Sequence, residues 1–95
     1  MKNEKKNPMS TEFKVACEIY KHQLTGKKIW TNKLIERFKD ELPKEKVVEA
    51  ISTLFDWSII KAEHGATEDG REGRLYSIDP YAKHMIKDLY DHWWS

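Results

Sequence analysis

Between Ser58 and Asp79 the apolar residues of this chain change their repeat. Upstream they recur every three or four residues, the signature of helices with one buried face. Inside the window the spacing changes: Ile59, Ile60 and Ala62 mark a strand over residues 58–63. Leu75, Tyr76 and Ile78 mark a return strand over residues 74–79. The ten residues from His64 to Gly73 between them hold three glycines and read as a long hairpin tip. Downstream the helical spacing resumes.

Punctuation places the helices. Ser10 is suited to cap a first helix over about residues 11–25, with Phe13, Ala16, Cys17, Tyr20 and Leu24 on one face and Gly26 at its end. Ile29 and Trp30 are enough for a bridging strand only. Thr31 or Asn32 can cap a second helix with Leu34, Ile35 and Phe38 inward, and Pro43 forces it to stop. Pro43 suits the first position of a third helix that turns Val47, Val48, Ile51, Leu54 and Phe55 inward and runs to about Trp57. Asp79 and Pro80 are a cap and first residue for a fourth helix, with Ala82, Met85, Ile86, Leu89, Tyr90 and Trp93 on its apolar side. The expected class is mainly α with a small β-hairpin, in the order α-β-α-α-β-β-α.

The division that follows is a basic flexible tail at residues 1–9, a domain at 10–79 and an amphipathic C-terminal helix at 80–95. Eleven aromatic residues, four of them Trp, are too much apolar surface for a disordered chain. The sequence has no apolar run near the roughly 20 residues of a membrane span. It also shows no signal peptide, so a soluble cytoplasmic protein is expected. Cys17 has no partner for a disulfide and lies on an apolar face, so it reads as core. His84, Asp88 and His92 share a stripe of the fourth helix, but about 12 Å separates the histidines, too far for one ion. That stripe reads as a solvated polar face. No phosphate loop, nucleophile elbow or Cys–His pair is present, so neither an enzyme nor a cofactor is expected.

The order of elements resembles the winged helix-turn-helix family, with residues 31–55 as the helix-turn-helix and 58–78 as strand, wing and strand. The run Leu54-Phe55-Asp56-Trp57-Ser58-Ile59-Ile60 is similar to that family's junction between recognition helix and wing. The resemblance implies a transcription regulator of the kind that includes MarR- and PadR-like repressors. It implies a partner, double-stranded DNA, with the third helix in the major groove and the wing beside it. It also implies that the fourth helix is an added dimerisation element.

On that footing Lys46, Ser52 and Thr53 would stand near bases. Thr31, Asn32, Lys33 and Lys44 would hold phosphates, and Arg71 or Arg74 would act from the wing. Met85, Ile86, Leu89, Tyr90, Trp93 and Trp94 would form the interface of a homodimer, where so much aromatic bulk at a chain end finds cover; packing against the first helix of the same chain is the alternative. Charge complicates the picture. Residues 1–30 carry seven Lys against three Glu, whereas residues 47–80 carry three basic against seven acidic side chains. The outward positions of the third helix are Glu45, Lys46, Glu49, Ser52, Thr53 and Asp56, and phosphate affinity needs Lys and Arg. A second reading therefore stands beside the first: an interaction module whose acidic third helix and wing bind a basic protein surface.

Overall fold

The computed structural model describes residues 10–66 and 70–93. Its elements are α1 (Thr11–Leu24), β1 (Ile29–Trp30), α2 (Thr31–Arg37), α3 (Lys44–Asp56), β2 (Ile60–Ala66), β3 (Glu72–Ile78) and α4 (Lys83–Trp93). The three strands form one antiparallel sheet in the order β1-β3-β2. The expected tail, residues Glu68 and Asp69 of the wing tip, Trp94 and the side chain of Trp93 lie outside the described residues.

Helix α1 is the centre of the domain and packs against α3, β3 and α4. Ser10 starts it by accepting a hydrogen bond from the Phe13 amide at 3.3 Å, and Gly26 follows it with a φ of 78°. Its Val15, Ala16, Ile19 and Tyr20 meet Leu34 of α2, Leu54 of α3 and Ile78 of β3 in one core. Cys17 is fully buried there, as its position predicts. Burial, reinforced by the charge of Glu18, pushes its thiol from 9.0 up to about 11, which makes it an inert core group. Glu18 is buried too, and receives the Arg37 Nε–H at 2.9 Å, an ion pair that ties α2 to α1.

The junction between α3 and β2 has a definite backbone cause. Ser58 N donates to Phe55 O and Ile59 N to Leu54 O, both at 3.0 Å, while Ser58 takes a left-handed φ of 60°. That is the paired bond pattern of a Schellman helix end, with serine where glycine is usual.

Several expectations need correction. Val48 was placed inward and is 44% exposed, whereas Ala50 is buried. The inward stripe runs 47-50-51-54, and Val48 lies at its edge, on the flank toward the wing. Helix α3 begins at Lys44, with Pro43 outside it in extended geometry. Helix α2 has no side-chain cap; Thr31 Oγ1 instead lies 2.7 Å from Tyr76 Oη. Strand β2 starts at Ile60 and continues to Ala66, so His64 and Gly65 are strand residues and the tip is short. Gly65 faces Gly73 across the ladder, and a Cβ at Gly65 would stand 2.9 Å from Leu75 Cδ1. The glycine there serves a close approach rather than a turn. Asp79 does cap, its Oδ1 accepting from Tyr81 N at 2.9 Å, but it closes a turn, and α4 starts only at Lys83.

Helix α4 lies on α1 of its own chain. Ile86 is fully buried in that seam, and the rings of Tyr90 and Tyr20 meet edge to face at 5.4 Å. Ile86 therefore has no surface left for a second chain, which corrects its assignment to a dimer interface. Leu89 and Tyr90 are half-buried, and Met85 remains 42% exposed. Among the described residues, no helix is long and apolar enough to cross a membrane.

Candidate nucleic-acid interface

Three shallow grooves have lining residues in common. The first, about 470 Å³, lies between α3 and the sheet; Thr31, Val48, Ser52, Asp56 and Arg74 line it. The second, about 290 Å³, lies between the start of α2 and the wing, lined by Trp30, Thr31, Asn32, Arg71 and Arg74. The third, about 230 Å³, lies between the end of α1 and α2, lined by His22, Lys27, Lys28, Trp30, Lys33 and Arg37. Thr31 and Arg74 line both of the first two grooves and Trp30 both of the last two, so neighbouring grooves share these side chains as walls.

The pairing of β1 with β3 brings the walls of these grooves together. Trp30 stands opposite Leu75 and Ile29 opposite Tyr76, which sets the first turn of α2 directly beside the wing strand. The Thr31–Tyr76 hydroxyl contact closes the seam. Phe55 packs edge to face on Tyr76 at 5.8 Å, and the Arg74 guanidinium lies over the Phe55 ring at 5.2 Å. That cation–π contact holds an arginine where it lines both of the first two grooves.

Of the residues named from sequence, Thr31, Asn32, Ser52, Arg71 and Arg74 line the first two grooves and Lys33 the third. Lys44, Lys46 and Thr53 line none of the three. At 100° per residue Lys46 and Thr53 stand about 160° and 140° round α3 from Val48, on the flank away from the wing. Trp30, His22 and Arg37 of the basic end escaped sequence reasoning, because only the β1–β3 pairing and the α1–α2 packing bring them together. Val48 escaped it because an apolar residue one step from Val47 reads as core.

Charge is unevenly distributed among the grooves. The third groove is basic, although Lys28 is ion-paired with Glu63 and Lys33 lies 3.7 Å from Glu36. On α3 Glu45, Glu49 and Asp56 are all exposed, with Lys46 3.8 Å from Glu49. Such exposed pairs are worth little and exchange partners readily. His84, Asp88 and His92 are exposed on α4. Among the described residues, no three His, Cys, Asp or Glu side chains converge to hold a metal ion.

No family model and no curated protein sequence matches this chain. Solved structures do. The circadian clock associated protein Pex from Anabaena aligns with a TM-score of 0.63 at 23% identity, over 90% of this chain and 77% of that one. A PadR-like transcriptional regulator from Bacillus cereus aligns with a TM-score of 0.65 at 10% identity, over 86% and 79%. PadR from Bacillus subtilis, in complex with operator DNA, aligns with a TM-score of 0.56 at 13% identity, over 82% of this chain and 44% of that one. At these identities the likeness is one of backbone: the chain has the winged-helix fold, with α4 added behind it.

Proposed function

We propose that this protein is a cytoplasmic DNA-binding transcription regulator that acts as a homodimer. The observation that carries the reading is that Thr31 at the start of α2 and Arg74 of the wing strand both line the groove along α3 and the groove between α2 and the wing. In this reading α3 enters the major groove with Ser52 toward the bases and Lys46 and Thr53 at the other wall. Thr31, Asn32, Lys33 and Lys44 hold phosphates, aided by the amides at the helix starts. Arg71 and Arg74 follow the backbone from the wing. The structural neighbour solved with operator DNA supports this use of the fold. The dimer would form on the outer side of α4 through Met85 and the exposed parts of Leu89 and Tyr90; Trp94 and the side chain of Trp93, expected with them, lie outside the described residues.

Binding to random duplex DNA across a salt series tests the reading. Affinity should fall steeply as salt rises, because each phosphate neutralised releases condensed counterions. Absence of binding near 50 mM salt would overturn it. The exposed carboxylates Glu45, Glu49 and Asp56 favour a second reading, in which the same face binds a basic protein surface; a binder of that kind ignores DNA at every salt concentration.

A further inference from the structure

Helix α3 turns one apolar side chain to solvent on the flank that faces the wing. Val48 is 44% exposed, while the rest of the helix's apolar residues are wholly or partly covered by the core. It shares the first groove with Ser52, one turn further along the same face, and with Thr31 and Arg74 across the opening. Glu45 and Glu49 stand exposed beside it.

Ile51, Phe55 and Tyr76 also line that groove, but they are buried or half-buried, and a branched apolar side chain left exposed at its edge gains little from water. It fits one feature of a DNA major groove: among the four bases only thymine presents a methyl group there. The hydroxyl of Ser52, by contrast, can serve a donor or an acceptor and discriminates weakly. Glu45 and Glu49, both on the outward side of Val48 at about 60° and 100° round the helix, repel phosphate and leave phosphate contacts to the basic residues of α2 and the wing.

From this placement, and resting on the DNA-binding reading above, we infer that Val48 is the sequence-reading residue of α3 and packs on the 5-methyl group of a thymine. The bound site contains at least one A·T pair whose thymine methyl lies against Val48. Specificity here rests on an apolar contact rather than on a bidentate arginine.

The test begins by selecting the tightest-binding duplexes from a randomised pool. Each thymine of the selected site is then replaced singly by deoxyuridine, which removes the methyl and leaves base pairing intact. The wild-type protein should lose about fourfold in affinity at one or two positions, the effect of withdrawing a single buried methyl. Val48→Ser should bind the parent site more weakly and be indifferent to deoxyuridine at those positions, with its thermal melting unchanged. Salt-dependent binding with no responsive thymine, or a pool with no enriched sequence, overturns the inference and leaves the DNA reading standing. A deoxyuridine effect that persists in Val48→Ser assigns the methyl to another residue and also overturns it. Failure to bind any duplex removes the DNA reading itself.

Discussion

Ser58 carries the turn from α3 into β2 at a φ of 60°, a conformation that a side chain makes costly. The sequence marks the junction through its order of residues, but the left-handed step follows from the two bonds that close the helix end. Ser58→Gly should keep both bonds and raise stability by about 1 kcal/mol, once the extra freedom of an unfolded glycine is allowed for. Urea unfolding checks it, and a loss of stability would mean that the serine side chain matters to the turn. Cys17 offers a second check at this scale. Its thiol ionises near 9.0 when unfolded and at about 11 when folded, so the folded state holds its proton longer. Stability from this group is therefore lost as pH rises from about 9 toward 11. The wild type should lose more stability across that window than Cys17→Ala, measured by denaturant unfolding at each pH. Equal slopes would show that the thiol is not shielded.

At the level of elements, α4 has two sides with different consequences. Ile86 is sealed against α1, while Met85 one residue earlier is 42% exposed. Ile86→Ala should cost roughly 2–5 kcal/mol, because it opens a cavity in the seam. Met85→Asp should leave the melting temperature of the monomer nearly unchanged but lower the mass in solution if the outer side of α4 pairs with a second chain. Sedimentation distinguishes the two effects, and a wild-type protein that is already monomeric at high concentration would end the dimer reading. The apolar spacing of α4 was plain in the sequence; its partner was not. A stripe of Ile86, Leu89 and Tyr90 is the same whether α1 of this chain or another chain covers it, and only the chain path after Ile78 decides between them.

For the whole molecule, the near balance of 17 basic and 16 acidic residues conceals a division between a basic α2 end and an acidic α3 face. Neutralising that face separates the two functional readings. Glu45→Gln combined with Glu49→Gln should raise affinity for duplex DNA several-fold at low salt and lose that advantage at high salt, as screening predicts. For a module that binds a basic protein surface the same change should weaken binding instead. Filter binding or fluorescence anisotropy at two salt concentrations reads the sign. By itself the sequence determined the number, order and kind of elements, because helical spacing, strand alternation, Gly26, Pro43 and Asp79 all act through neighbours a few residues away. It determined the core status of Cys17 for the same reason. Which edge of α3 faces in, how far β2 runs, what covers α4 and which side chains line each groove were decided only by the tertiary structure. Those outcomes depend on contacts such as Thr31 with Tyr76 and Arg37 with Glu18, between residues far apart in the chain, which no local pattern encodes.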